Sequence, residues 1–447
     1  MDFQKKKIFE EILISPNHNE QIISIICSAL KFCSPKEYQR INNILKIIIE
    51  NNKKELKKEC YKGLPENLPS LRALIWKMNF KYLPHKIQNW ENTLKSFRDE
   101  YTELKNAVII KQQEEIKIFE ELNQNIIEEE NINNKNSKNQ SYNINNTLYL
   151  LAENTDKELL ETINKDINRT YSTMNFFSKP INDKIKFSQE ELNNLYLLKK
   201  SSIYQDSTLV YTKGRTTNDL YKKEIHSDAL ERILYIYAKN NKDVGYVQGM
   251  NSILAPIYYC YSMDNTCDKE NIEADSFWSF SLLMDDIKKI FQKKNDTLKG
   301  GIFDKIVLLE LMISKIDKDI FNRLIKKKEE AFHFAIKWIN LFFSQQMIMP
   351  DVLRLWDIIF SEEDRYYFVY LFSLAILEFK KNDILKKNYY EIMENLQNIN
   401  LTNVEEIVNL AFKIKKNFHK EIKEILYYYN DKNDKKCKKD NIKNKIK

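Results

Sequence analysis

Glycine and proline are scarce in this sequence, with 6 and 8 in 447 residues. These residues supply the positive-φ turns and strand boundaries of β architectures, so their scarcity argues against a turn-dense β fold. It also removes whole classes of chemistry. No GxxxxGK[ST] phosphate loop occurs, and the nearest string, Lys213-Gly214-Arg215-Thr216-Thr217, lacks the leading glycine and the Lys-Ser/Thr order. GxGxxG, HExxH and GxSxG are missing too. The chain does not read as an NTPase, kinase, dehydrogenase, metalloprotease or serine hydrolase. Chemistry, if present, is lent to another protein's active site.

Cysteine pairing is also lacking. None of Cys27, Cys33, Cys60, Cys260, Cys267 and Cys437 has CxxC spacing, and the five histidines do not cluster with them. Neither a zinc site nor a disulfide framework is indicated, which fits a reducing, cytosolic compartment. The longest apolar run, Tyr366–Leu377, spans 12 residues and is too short for a bilayer. Near the N-terminus, Glu10 and Glu11 interrupt the apolar stretch that a signal peptide needs.

Of the formal charge of +7, segment 431–447 carries +5, from eight Lys and three Asp. Charge concentrated in this way reads as a solvated tail, with a weak contact to anionic lipid or RNA as the alternative. A nucleic-acid-binding domain would spread the excess over a folded face.

What is abundant is apolar periodicity. Residues 1–60 read as a polar helical extension whose apolar clusters (Ile8, Phe9, Ile12, Leu13; Ile22, Ile23, Ile26, Leu30) either dock on the main domain or touch a membrane surface. Leu71, Leu74, Ile75 and Met78 mark a helix that ends at Pro84, and residues 86–120 continue as helix. Four stripes at i, i+3, i+4, i+7 spacing follow: Leu230/Ile233/Leu234/Tyr237, Met250/Ile253/Leu254/Ile257, Phe332/Ala335/Ile336/Ile339 and Val352/Leu355/Trp356/Ile359. A further helix is expected over 273–292. Residues 121–147 are Asn-rich and too poor in apolar side chains to pack. Ser188–Glu191 is a capping box before a helix at 189–200, inside a polar stretch at 178–222. The reading is all-α: an N-terminal extension at 1–60, a main domain at 61–415, insertions at 121–147 and 178–222, and a helix end with a basic tail at 416–447.

Three strings stand out. In Ile163-Asn-Lys-Asp166-Ile-Asn-Arg169-Thr170, Asp166 and Arg169 share a helix face, and the carboxylate can hold the guanidinium in one rotamer. The plain alternative is a surface ion pair of little worth. In Tyr246-Val-Gln248-Gly249-Met250-Asn251, Gly249 permits positive φ or close backbone approach, and Gln248 is presented at a helix start. The plain alternative is a helix N-terminal turn with a capping role. In Arg354-Leu-Trp356-Asp357, Trp356 reads as core and the charged residues, again three apart, as scaffold.

In their order and context these strings resemble the TBC-domain family of Rab GTPase-activating proteins. IxxDxxR stands at 163–169 and YxQGM at 246–250. "LRALIWKMNFKYLP" at 71–84, with Arg72 and Trp76, looks like the family's entry helix. "EADSFWSF" at 273–280 and "VLRLWDIIF" at 352–360 look like later family helices. The resemblance covers roughly 60–415 and implies an all-helical domain of two helical subdomains. The 79 positions between Arg169 and Gln248 exceed the usual family spacing, and the excess falls in the polar 178–222 stretch. Such a loop is tolerated because closure entropy grows slowly with length.

The resemblance also implies a function: GTPase activation of a Rab-family protein in its GTP form, within vesicle trafficking. Arg169 and Gln248 would be the arginine and glutamine fingers, with Asp166 orienting Arg169. Tyr246, Gly249 and Asn251 would shape the glutamine loop, and Arg72, Trp76, Arg354 and Asp357 would serve as scaffold or interface. No cofactor or metal is expected on this chain, because GTP and Mg²⁺ belong to the partner. No specific nucleic acid is expected. Membrane contact, where made, would be peripheral, through the N-terminal helices or the basic tail, on a cytoplasmic protein. The alternative is a catalytically silent scaffold that binds a Rab.

Overall fold

The computed structural model describes residues 8–14, 19–107, 158–181, 224–292, 300–325 and 331–427. The Asn-rich 121–147 stretch, the Ser188 capping box with its helix, nearly all of 178–222 and the 431–447 tail lie outside these residues. What is described is helical, with no named strand and one isolated bridge, Pro180 to Ile225. No described helix is long and apolar enough to cross a membrane. The chain divides into two compact units. The first comprises Met1–Trp90, Tyr259–Cys267 and Ser279–Lys447; the second comprises Glu91–Tyr258 and Asp268–Trp278.

The first unit begins with α1 (Glu10–Ile14), α2 (Glu20–Phe32), α3 (Pro35–Ile49), α4 (Lys53–Tyr61) and α5 (Pro69–Asn79). Their starts carry recognisable signals. Asn19 accepts from the Gln21 amide to cap α2, and the Ser34 amide donates to Glu37 at 2.8 Å, three residues into α3. Proline opens α3 and α5, where its missing N–H costs nothing. Ile22, Ile25 and Ile26 of α2 and Ile41, Ile44 and Leu45 of α3 are buried. The apolar stripes of the described N-terminal helices are therefore packed within the first unit and not left facing solvent.

In the second unit, α6 covers the helical residues 90–107 from Glu91 onward and α7 covers 158–167. They are followed by α8 (His226–Asn240) and α9 (Met250–Ser262). α9 passes into the first unit after Tyr258, and α10 (Ile272–Ile287) does so after Trp278. The remainder of the first unit is α11 (Ile302–Ile316), α12 (Lys318–Leu324), α13 (Phe332–Asn340), α14 (Met349–Ser361), α15 (Arg365–Phe379), α16 (Lys381–Lys386), α17 (Tyr389–Gln397) and α18 (Val404–Asn417).

α15 is the axis of the first unit. It is buried on nearly every side, so its sequence is apolar all round rather than striped. α14, α13, α11, α16 and α18 pack on it. The α14 stripe is buried as the periodicity predicts, from Val352 to Phe360. α13 differs by a rotation. It buries Phe334, Ala335, Trp338 and Ile339, leaving Phe332 and Ile336 half-buried. Phe334 and Trp338, paired with ring centroids 5.2 Å apart, take the interior, while Phe332 stacks on Phe303 at 5.0 Å.

Candidate functional site

Asp166 lies in the last turn of α7, and Arg169 follows in the turn that ends it, a short step beyond the helix on which the spacing placed both. The Asp166 carbonyl receives the Arg169 amide at 3.2 Å and the Ile167 carbonyl receives the Thr170 amide at 2.9 Å, so the chain tightens there without losing the three-residue register. Ile163, one turn earlier, is fully buried and fixes the helix face. Asp166 is thereby turned inward.

The Asp166 carboxylate is shared. Its Oδ1 accepts from an Arg169 terminal nitrogen at 2.9 Å, and its Oδ2 accepts from the Tyr246 hydroxyl at 2.7 Å. Arg169 Nε donates to the Lys165 carbonyl at 3.0 Å. The Asp166 side chain is 6% exposed, whereas that of Arg169 is 69% exposed. The guanidinium is held at its root by two acceptors and its outer face is open to solvent. An arginine tethered in this way has lost much of its rotamer freedom in advance, so less is lost when it meets a partner.

The second string closes on the first. Asn251, in the first turn of α9, donates to the Asp166 carbonyl at 3.2 Å and to Thr170 Oγ1 at 2.7 Å. Thr170 Oγ1 in turn donates to the Asp166 carbonyl at 2.7 Å. Burial, and then the hydrogen bond to Asp166, push the Tyr246 hydroxyl far above its ordinary pKa, so it remains a proton donor across the accessible pH range. Gly249 is buried with φ of 103°, a conformation that glycine adopts without a Cβ penalty. Gln248 sits just before it, exposed, in the turn that enters α9. Asp166, Arg169, Tyr246 and Asn251 thus form one hydrogen-bonded cluster across 85 positions of sequence, joined by Thr170. The sequence does not single out Thr170; its signal was its place directly after the arginine, where a short hydroxyl reaches back to a helix carbonyl.

The other four expected residues belong to the first unit. Arg72 Nε donates to both Asp357 oxygens, at 3.1 and 3.2 Å, and the Trp76 indole donates to Oδ1 at 2.9 Å. Asp357 and Trp76 are fully buried and Arg72 nearly so. Trp356 is core, its indole satisfied by the Phe342 carbonyl at 2.8 Å. Arg354 and Asp357, three apart, do not pair with each other. Arg354 reaches both Glu405 oxygens, at 3.1 and 3.2 Å, and the Tyr61 carbonyl at 2.9 Å, because the buried face of α14 gives Asp357 to Arg72.

Glu273 and Asp275 of the acidic-aromatic string anchor the second unit. Glu273 takes Arg232 at 2.8 and 2.6 Å and the Tyr101 hydroxyl at 2.5 Å, while Arg98 grips Asp275 at 2.8 and 2.9 Å. Both are bidentate guanidinium–carboxylate pairs, the geometry of strong charge-assisted bonds.

Comparison with known proteins gives these strings a context. The Rab-GTPase-TBC domain family matches residues 181–385, a range that includes the Tyr246–Asn251 string and begins after Arg169. TBC1 domain family member 13 from Homo sapiens is 27% identical over 379 residues, spanning 80% of this chain and 92% of that protein. Its Mus musculus counterpart is 28% identical over 382 residues, with the same shares. The crystal structure of the Ypt/Rab-GAP domain of Gyp1p shares the fold, with a TM-score of 0.54 at 18% identity, covering 89% of this chain and 99% of that one. The all-helical architecture and the ordered strings agree with these likenesses: residues 181–385 match the Rab-GTPase-TBC domain family, and the fold is that of a solved Rab-GAP domain.

Proposed function

We propose that this chain is a GTPase-activating protein for a Rab-family GTPase in its GTP form, acting in vesicle trafficking with Arg169 and Gln248 as its two catalytic side chains. The observation that carries the reading is the exposed Arg169 guanidinium tethered to a buried Asp166, in one cluster with the residues that flank Gln248.

In phosphoryl transfer to water, negative charge spreads over the γ-phosphate oxygens, and an arginine supplied in trans is worth about 10³–10⁵ in rate in other GTPases. Arg169 would enter the partner's site and place its planar fork against those oxygens, a fit that lysine cannot match. The Gln248 amide both donates and accepts, so it would hold the attacking water in line. Asp166 orients Arg169 in this scheme, Tyr246 and Asn251 fix Asp166 and the adjoining turn, and Gly249 shapes the glutamine turn. GTP and Mg²⁺ belong to the partner.

The test is single-turnover GTP hydrolysis by a panel of purified Rab GTPases with the full chain, with Arg169→Ala and with Gln248→Ala. Acceleration of one Rab by orders of magnitude, mostly lost in either variant, is the expected result. Binding of a Rab without acceleration would replace this reading with that of a silent scaffold.

A further inference from the structure

Thr170 is followed by a turn that runs to Pro180, and the structure mounts this turn at both ends on one face of α9. The near mount is Asn251, bonded to Thr170 and to the Asp166 carbonyl. The far mount is aromatic. Phe176 stacks on His226 with centroids 4.1 Å apart and planes at 17°, and His226 Nδ1 shares a 2.9 Å hydrogen bond with the Tyr258 hydroxyl. Tyr258 is seven residues, two helical turns, beyond Asn251, so both project from the same side of α9. The start of α8 secures the same end of the turn. The Ser227 amide and hydroxyl both donate to the Phe177 carbonyl at 3.0 Å, the His226 amide donates to the Lys179 carbonyl at 3.1 Å, and Ile181 donates to the Glu224 carbonyl at 2.8 Å.

The turn needs holding. Tyr171, two residues beyond Arg169, has φ of 45°, a left-handed conformation that costs about 1–2 kcal/mol for a residue with a Cβ. Such a conformation persists where its surroundings over-determine it. Tyr171 stacks on Phe177, with centroids 6.1 Å apart, so the strained residue is tied directly to the far mount.

We infer that Phe176, His226 and Tyr258 are positioning residues for Arg169: they fix the far end of the arginine turn to the helix that Gln248 precedes, and so set the distance between the two side chains. The inference rests on the proposed GTPase-activating role. It assigns Phe176 and His226 a task distinct from core packing, since both are only half-buried. A misplacement of about 1 Å in a positioned catalytic group is enough to cost orders of magnitude in rate.

The test uses the full chain with the Rab that it accelerates, and compares Phe176→Leu, Phe176→Tyr and Tyr258→Phe. Tyr258→Phe removes one hydroxyl and keeps the buried ring. Loss of a hydrogen bond of ordinary strength predicts a fall in kcat of about threefold to tenfold. Phe176→Leu should lower kcat at least as far, with KM within about twofold of wild type. Phe176→Tyr, which retains the stacking ring, should restore the wild-type rate. A loss confined to KM, or equal losses in Phe176→Leu and Phe176→Tyr, would overturn the inference. Amide exchange of Met174 and Ser227, read without any GTPase, should quicken at least about tenfold in Phe176→Leu, because opening is governed by local stability. If no Rab is accelerated but exchange quickens, the activating role fails and the mount stands as a structural feature. Unchanged exchange would remove the mount whatever the activity.

Discussion

Two Arg–Asp pairs, one in each unit, show how one pair of residue types serves opposite ends. In the first unit Arg72 spends its Nε on both oxygens of Asp357, Trp76 fills a remaining lone pair, and the whole group is out of water. In the second unit Asp166 is likewise buried, yet its arginine lies mostly in solvent. Chemical identity does not distinguish them; burial of the cation does. A guanidinium enclosed with its partner holds helices together, whereas one anchored at its root and open at its tip is accessible to another molecule. The Arg232–Glu273 pair, with side chains only 12% and 13% exposed, shows that the second unit largely encloses other arginines, so the exposure of Arg169 is particular to its site.

The sharpest way to break this comparison is to remove one member of each pair. Asp357→Ala leaves Arg72 charged, buried and unpaired, and should cost about 3–5 kcal/mol of stability in denaturant unfolding. Arg169→Ala takes away an exposed side chain and should change stability by less than about 1 kcal/mol. On Rab hydrolysis the order reverses, with Arg169→Ala losing about 10³-fold or more. Equal stability losses in the two variants would show that both pairs are scaffold.

A second test asks whether the second unit's enclosed pair behaves as scaffold. Burial alone would raise the Glu273 pKa, but the hydrogen bond and charge of Arg232, with Lys105 and Tyr101, outweigh it and bring the carboxyl from 4.5 to about 2. The folded value lies below the unfolded one, so this group's contribution is fully present above pH 4.5 and is lost as pH falls from about 4.5 to about 2. Wild type should therefore exceed Glu273→Gln in stability at neutral pH, and the gap should narrow across that acid window. A gap independent of pH would mean that Glu273 acts through shape rather than charge.

Much of this was legible in the sequence. The α14 stripe and the Met250/Ile253/Leu254/Ile257 stripe appear where the 3.6-residue period puts them, because burial of one face is what the period encodes. IxxDxxR and YxQGMN identified the cluster, since both strings carry side chains that need partners. The partners themselves were not legible. Nothing local says that Tyr246 reaches Asp166 or that Asp357 pairs with Arg72 rather than with Arg354, because contacts 80 and 285 positions apart are set by how helices cross. The rotation of α13 escaped for a related reason: Phe332 and Ile336 fit the period as well as Phe334 and Trp338, and only the neighbours decide.

The finest cut on the comparison is Tyr246→Phe. It keeps the ring and removes the one hydroxyl on Asp166 Oδ2, leaving the carboxylate to Arg169 alone. A buried carboxylate oxygen that loses a donor incurs a desolvation penalty of about 1–3 kcal/mol, part of which solvent entering at the exposed Arg169 would restore. If Asp166 serves stability, the whole effect should appear as a lower unfolding midpoint at unchanged activity. If it serves presentation, Asp166 is freed to swing toward its remaining partner and the Arg169 turn loosens. Rab hydrolysis should then fall by about tenfold, more than the lost stability explains at a temperature where both proteins are folded. Combining Tyr246→Phe with Arg169→Ala separates the two. Once the guanidinium is gone, the hydroxyl should have no further influence on the rate, while its effect on the unfolding midpoint persists.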